Sequence, residues 1–165
     1  MRYCKIKPND VANGSGIVVS LWTQGCPHRC DGCHNPETWD FGAGKEFEPK
    51  IADEILELLD KDGIKRDLSI LGGEPLCPAN YNGVMTLLSV IKSERPHTKV
   101  YLWTGYTLEE LLKRYYIKEF KNIDVLIDGK FEKDKKDLSL KYCGSTNQRV
   151  INMKETIRQE KIILL

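Results

Sequence analysis

The sequence predicts an α/β fold built as a single domain over residues 1–165, in the form of a partial, open β/α barrel. Apolar, β-branched segments typical of buried strands alternate with segments whose apolar residues recur at helical spacing. This alternation favours a mostly parallel sheet with right-handed crossovers. A closed eight-fold barrel needs about 250 residues, whereas this chain has 165. We therefore expect a barrel that is incomplete and open on one side.

The first predicted strand covers residues 16–24, GIVVSLWTQ, a run of mainly apolar and β-branched residues. It leads directly into the first of three clustered cysteines, so these cysteines follow the carboxyl end of a strand. The stretch 35–48 is rich in glycine and charge and is expected to form a functional loop. Further strands are predicted at 67–71, 99–103 and 123–127, and two more, of unassigned direction, at 148–153 and 161–165.

Three helices are predicted between these strands. Pro49 opens the first, whose apolar face is formed by Ile51, Ile55, Leu58 and Leu59. The second presents the stripe Val84, Leu87, Leu88 and Ile91. The third begins at Thr107, which has capping-box spacing to Glu110, and it is expected to bury Leu108, Leu111, Leu112 and Tyr115.

Composition excludes several classes of function. Hydrophobic residues make up 41% and charged residues 30% of the chain, which is typical of a globular domain. The net charge of +1 argues against nucleic-acid binding, because such proteins need an excess of lysine and arginine to meet the phosphates. The sequence has no eighteen-residue apolar run, and MRYCKIKPND lacks the core of a signal peptide. We expect a cytoplasmic protein without a membrane or nucleic-acid partner.

Cys26, Cys30 and Cys33 form a compact cluster on a loop expected to span residues 25–36. Three thiolates can each bind one iron of a cubane cluster, and the fourth iron then keeps an open coordination position. The alternative is structural zinc, with His28 or His34 as the fourth ligand. Structural zinc sites usually draw two separated pairs of ligands, whereas all candidates here lie in one short loop. Cys4, Cys77 and Cys143 are scattered singly and are expected to be core or incidental thiols.

The spacing CxxxCxxC after the first strand is similar to the signature of the radical S-adenosylmethionine superfamily. The longer run GCPHRCDGCHNPETWDF resembles the anaerobic ribonucleoside-triphosphate reductase activating proteins. NGSGIVVSLWTQGC, GGEPL, WTGY, LIDGKFE and GSTNQRV occur in the order that this family carries them, so the resemblance covers nearly the whole chain. It implies a partial barrel of the radical S-adenosylmethionine type.

The resemblance also implies two cofactors, one 4Fe–4S cluster and S-adenosyl-L-methionine, and assigns residues to them. GGEP is the motif that holds the methionine amino group, with Gly73 as its main contact, although a tight turn is the alternative for such a segment. Because Gly32 stands where many superfamily members carry an aromatic residue, His34 or the local backbone is expected to stack on adenine. The implied metal ligands are Cys26, Cys30 and Cys33, and the implied cofactor contacts are Gly32, Cys33, His34, Gly72, Gly73, Glu74, Thr104, Asp128 and Lys130.

The activity implied by the resemblance is reductive cleavage of S-adenosylmethionine to a 5′-deoxyadenosyl radical. That radical would generate a glycyl radical on the large subunit of an anaerobic, class III ribonucleoside-triphosphate reductase. The cofactor carries the radical chemistry, so no catalytic acid–base pair is expected, and a flavodoxin is the implied electron donor. Two alternatives stay open: an activase of another glycyl-radical enzyme, such as pyruvate formate-lyase, and a non-enzymatic zinc-binding interaction module. The segment 144–150 is expected either to close the cofactor site or to contact the partner.

Overall fold

The computed structural model describes all residues, 1–165, and its centre is a mixed seven-stranded sheet. The strand order is β3-β1-β2-β4-β5-β6-β7. The strands are β1 (Arg2–Asp10), β2 (Val18–Gln24), β3 (Lys45–Glu46), β4 (Asp67–Gly72), β5 (Val100–Trp103), β6 (Val125–Asp128) and β7 (Arg149–Asn152). The α-helices are α1 (Pro49–Leu59), α2 (Pro78–Glu94), α3 (Leu108–Leu111) and α4 (Met153–Gln159).

The four central strands confirm the predicted parallel arrangement. β2, β4, β5 and β6 pair in parallel, which brings their carboxyl ends to one edge of the sheet. The outer strands β1, β3 and β7 pair antiparallel. The sheet is therefore mixed, and the expectation of a mostly parallel sheet holds only for its centre.

The main core lies between one face of the sheet and the helices. Strand residues that alternate in sequence point to opposite faces, so β5 sends Leu102 towards the helices and Tyr101 to the other face. The main core is closed from the helical side by Ile55, Leu59, Val84, Leu87, Leu88 and Ile91. These residues include most of the two predicted helical stripes, and burying each such side chain stabilises the fold by about 1.5–3 kcal/mol.

The predictions for both ends of the chain were incomplete or wrong. β1 was not predicted, because an antiparallel outer strand with exposed Lys5 and Lys7 lacks the continuous apolar run of a buried strand. The predicted strand at 161–165 does not form; this segment makes one isolated bridge, between Leu164 and Ile151. The chain instead turns after β7 into α4, which begins at an Asn152 cap whose side chain accepts from the Glu155 N–H.

The third helix is much shorter than its apolar pattern indicated. The Thr107–Glu110 capping box is present, which confirms the predicted start. The helix ends at Leu111, and Leu112, which was expected to be buried, is 42% exposed. No helix in the structure is both long enough and apolar enough to cross a membrane.

Arg149, the first residue of β7, forms a salt bridge with Asp128 at the end of β6. Its guanidinium makes two hydrogen bonds to Asp128, from Nε to Oδ1 at 2.9 Å and from Nη2 to Oδ2 at 2.5 Å. It makes two more to Glu109 in the first turn of α3, at 2.9 and 2.6 Å. Both carboxylates raise the pKa of Arg149, and the hydrogen bonds from Arg149 lower the pKa of Glu109 to about 2.

Replacing Arg149 by Met should lower the free energy of unfolding by about 3 kcal/mol, because Asp128, whose side chain is 1% exposed, would keep a buried charge without its partner. Urea unfolding of the metal-free protein measures this change. The matched control is Arg158→Met, which removes an exposed pair with Glu155 and should cost about 1 kcal/mol or less. Equal losses in the two variants would contradict the role given to Arg149.

Candidate functional site

A cavity of about 370 Å³ lies at the carboxyl ends of the four parallel strands. The structure brings most of the predicted site residues into its lining: Cys26, Cys30, Cys33, His34, Gly72, Gly73, Glu74 and Thr104. A larger cavity of about 600 Å³ lies beside β3 and the start of α1, and its lining includes no cysteine or histidine. The smaller cavity is therefore the candidate site.

The cluster loop, residues 25–36, follows β2 and is held by backbone hydrogen bonds within the loop and to the two residues Thr38 and Trp39. The N–H groups of Gly25 and Cys26 donate to Thr38 and Trp39 carbonyls at 2.8 and 3.2 Å. Within the loop the Cys33 N–H donates to the Cys30 carbonyl at 3.1 Å. Gly32 has a φ of +71°, which favours glycine at this turn. The loop thus brings all three thiols to the wall of one cavity.

Burial raises the pKa of two of the thiols in this loop. It raises the pKa of Cys26 to about 11, although the backbone N–H of His28 opposes the rise. The pKa of Cys30 is also raised, first by burial and then by the neighbouring Cys33. Burial thus favours the protonated thiol at Cys26 and Cys30, and a bound metal would supply the positive charge that converts such thiols to thiolates. All six cysteines are free of disulfides.

The carboxylate of Glu74 joins three loops around the cavity. Its Oε1 accepts from the Leu76 N–H at 2.9 Å and from the Thr104 hydroxyl at 2.7 Å. Its Oε2 accepts from the Gly105 N–H at 2.6 Å and lies 2.9 Å from His28 Nε2 in the cluster loop. The Glu74 side chain is only 1% exposed, so these partners replace the water that the carboxylate would otherwise require.

The glycines of the GGEP segment let the ends of β2 and β4 approach closely. A Cβ on Gly73 would lie 2.5 Å from the Gly25 carbonyl oxygen, and one on Gly72, at a φ of +100°, would lie 2.8 Å from Trp22 Cα. The Gly73 N–H also donates to the Thr23 carbonyl at 2.9 Å. Close packing of the chain with itself therefore accounts for both glycines. A contact between Gly73 and a cofactor amino group stays a prediction.

Three predicted cofactor residues lie outside the cavity lining. The Asp128 carboxylate is occupied by Arg149 and by the Leu108 N–H at 2.8 Å, and this holds the start of α3 at the end of β6. Lys130 is exposed, and Gly32 packs beside the Lys133 side chain. The contacts in the structure give Asp128 a positioning role, and the cofactor roles of all three residues stay predictions.

Four aromatic residues, Trp22, Trp103, Phe131 and Tyr142, line the cavity. The position of Trp103 at the end of the predicted strand 99–103 already indicated this rim, whereas sequence reasoning missed the other three. Trp22 occurs near the carboxyl end of β2 on the face opposite the helical core, and strand alternation was a signal that could have found it. Phe131 and Tyr142 lie in loops, where no periodic pattern was available.

The donor set fits a cluster better than a single ion. No group of three or more His, Cys, Asp or Glu side chains is arranged as a site for one metal ion. His28, one of the two candidate fourth ligands for zinc, is paired with Glu74. Cys26, Cys30 and Cys33 all line this one cavity, as donors to three separate irons of a cluster would.

Comparison with known proteins assigns the family. The family model of a 4Fe–4S single cluster domain matches residues 12–151. A relative from Pasteurella multocida is 43% identical over 153 residues, which cover 90% of this chain and 95% of the relative. Relatives from Vibrio cholerae and Escherichia coli are 41% and 39% identical over 155 residues, with 90% and 93% of this chain and 96% and 100% of the relatives covered. All three are named anaerobic ribonucleoside-triphosphate reductase-activating protein.

Replacing Glu74 by Gln should lower the free energy of unfolding of the metal-free protein by about 2 kcal/mol. Each carboxylate oxygen accepts from one backbone N–H, so either orientation of the amide leaves Leu76 or Gly105 facing an NH₂ group. Urea unfolding measures the loss, with Glu57→Gln on the exposed side of α1 as the control. If Glu74 served only as a ligand to a cofactor, the metal-free variant would unfold like the unmodified protein.

Proposed function

Because the chain belongs to the family of anaerobic ribonucleoside-triphosphate reductase-activating proteins, we propose that it generates a glycyl radical on such a reductase. The single observation that carries this proposal is the cavity lined by three thiols from one loop. A site of this kind leaves one coordination position for a small molecule.

The fold supports a single-domain, partial barrel of the radical S-adenosylmethionine type. Four parallel strands direct their carboxyl ends to the cavity, and β3 and β7 are the outermost strands of a sheet that does not close on itself. An incomplete barrel is suited to a protein substrate, because a glycine within a polypeptide must enter the site from the side. The classification that follows is an oxidoreductase of the glycyl-radical activating type.

In this proposal Cys26, Cys30 and Cys33 hold a 4Fe–4S cluster, and S-adenosyl-L-methionine completes it. When both are bound, they supply the electron transfer and bond cleavage that yield a 5′-deoxyadenosyl radical, able to take a hydrogen atom from a glycine Cα. The chain's own residues bind and shield these groups. Carbonyl groups near Gly72 and Gly73 would accept from the amino group of the methionine moiety, and His34 would stack on adenine.

The walls of the cavity suit radical chemistry. The indole of Trp103 is fixed by its Nε1–H, which donates to the Tyr142 carbonyl at 2.8 Å. Trp22 and Phe131 add further apolar surface to the lining. Such walls exclude water from a reactive intermediate, so the protein contributes orientation and shielding rather than acid–base catalysis.

The proposal also covers the protein substrate, the electron donor and the cellular location. The large subunit of the anaerobic reductase is the proposed substrate, and a low-potential donor, a flavodoxin by resemblance, supplies the electron. A cytoplasmic location agrees with six cysteines that form no disulfide.

Anaerobic reconstitution with iron and sulfide, followed by reduction in the presence of S-adenosylmethionine, should release methionine and 5′-deoxyadenosine. Cys30→Ala should abolish both products, because one iron would lose its thiolate. Cys4→Ala is the matched control, since Cys4 lies in β1 and does not line the cavity, and it should retain product formation. Turnover in the Cys30 variant, or tightly bound zinc in a colourless protein, would refute the cluster assignment.

The choice of partner can be tested by electron paramagnetic resonance. Incubating the reduced protein and S-adenosylmethionine with an anaerobic ribonucleoside-triphosphate reductase should produce a glycyl radical signal, and replacing the acceptor glycine by alanine should remove it. A pyruvate formate-lyase offered under the same conditions should give no signal. The reverse pattern would assign the chain to the other class of glycyl-radical enzyme.

A further inference from the structure

The larger cavity, of about 600 Å³, shares no lining residue with the cavity that holds the thiols. Its walls come from the start of β1, the end of β2, the segment 41–49 and the first turn of α2. Its volume lies within the range of sites that bind small molecules or short peptide segments. The radical chemistry proposed above makes no use of this cavity.

Two buried side-chain amides, Gln24 and Asn80, line the larger cavity and are 2% and 1% exposed. Their nitrogens are fully occupied by the chain. Gln24 Nε2 donates to the carbonyls of Glu37 and Asp40 at 3.0 and 2.8 Å. Asn80 Nδ2 donates to the carbonyls of Gln24 and Glu74 at 2.9 and 3.0 Å. Because only an amide nitrogen can donate to a carbonyl, these contacts also identify the oxygen of each amide.

The oxygens of the same two amides accept from no group of the chain. No N–H or O–H group lies within hydrogen-bond distance of Gln24 Oε1 or Asn80 Oδ1. Neither oxygen is sealed from solvent, so both are reached through the cavity that their residues line. Polar atoms of buried side chains normally have a partner. Two such acceptors in one cavity therefore indicate a ligand that brings N–H donors.

The charged side chains in the lining favour a cationic ligand. Glu46 and Glu48 contribute two carboxylates, and Arg2 contributes the only positive side chain. Arg2 is committed elsewhere, because its Nε donates to the Ala43 carbonyl at 2.7 Å and its Nη1 pairs with Glu46 at 3.4 Å. Lys50 pairs with Glu48 but does not line the cavity. The excess of one carboxylate attracts positive charge.

Two aromatic rings supply the apolar walls of the cavity. Phe41 is 45% exposed, and its ring lies so close to Gly25 that a Cβ there would overlap it. Phe47 contributes the second ring and packs edge-on against Tyr3 at 6.0 Å. A planar guanidinium stacks well on aromatic faces and carries several N–H donors with no acceptor. Such a group matches both the rings and the unpartnered amide oxygens.

The geometry points to a second binding site, in which the larger cavity takes the guanidinium of an arginine side chain from a polypeptide segment of a partner protein. Gln24 Oε1 and Asn80 Oδ1 accept from the guanidinium, and Phe41 stacks on it. The cavity has room for the residues that flank such an arginine. Because Phe41 rests on Gly25, the bound segment lies at the base of the cluster loop. The site needs neither cluster nor S-adenosylmethionine, so it is independent of the proposed function.

The test is a titration of the full-length protein with the capped tripeptide acetyl-Ala-Arg-Ala-amide, followed by nuclear magnetic resonance. The side-chain amide signals of Gln24 and Asn80 should shift and saturate. The same peptide with citrulline, which replaces the guanidinium by a neutral urea, should bind about 5-fold more weakly. Free arginine should also bind more weakly than the peptide. Free arginine that binds as tightly as the peptide would overturn the assignment to a polypeptide.

The variant Phe41→Ser removes the stacking surface from a half-exposed loop position and should weaken binding of the arginine peptide about 3-fold. The matched control is Tyr116→Ser, since this ring is 84% exposed and lies outside the cavity, and it should leave the affinity unchanged. Gln24→Met removes one acceptor and should reduce binding further; if it does not fold, Phe41→Ser alone decides. The site is refuted if neither amide signal shifts, if the citrulline peptide binds equally well, or if Phe41→Ser keeps full affinity. Release of 5′-deoxyadenosine tests the proposed function separately.

Discussion

The site depends on the need of one buried carboxylate for hydrogen-bond donors. Glu74 is almost entirely shielded from water, and an unpaired charge in that position would cost several kcal/mol. Its donors come from three separate loops, through His28, Leu76 and the Thr104–Gly105 pair. Satisfying this one group therefore fixes the cluster loop relative to the ends of β4 and β5.

The second constraint is the close approach of strand ends beneath the cavity. Gly72 and Gly73 let β4 reach the chain that leaves β2, and the Glu74 N–H then donates to the Gly25 carbonyl at 2.8 Å. Asn80 strengthens the same junction, because its Nδ2 group donates to the Gln24 and Glu74 carbonyls. The cluster loop begins at this hydrogen-bonded junction of β2 and β4. A short loop is therefore sufficient to bring three thiols to one cavity.

Much of this arrangement could be predicted from the sequence, and the failures have physical causes. The central strands and the first two helices were predicted because buried parallel strands and amphipathic helices have strong periodic patterns. β1 and α4 were missed because outer elements are half solvated, and their apolar residues are too few to form a pattern. The resemblance implied a cofactor contact for Glu74, which stays a prediction, whereas its contacts with His28 and Thr104 could not be foreseen because they depend on tertiary folding that spacing does not encode.

The central claim is that three thiolates hold a cluster whose remaining iron is free to bind S-adenosylmethionine. Mössbauer spectroscopy of the anaerobically reconstituted protein, recorded with and without S-adenosylmethionine, tests it most directly. The account predicts that adding S-adenosylmethionine changes the Mössbauer signal of one iron of the cluster and leaves the signals of the other three unchanged. A spectrum in which no iron responds, because a side chain already completes the cluster, would contradict it.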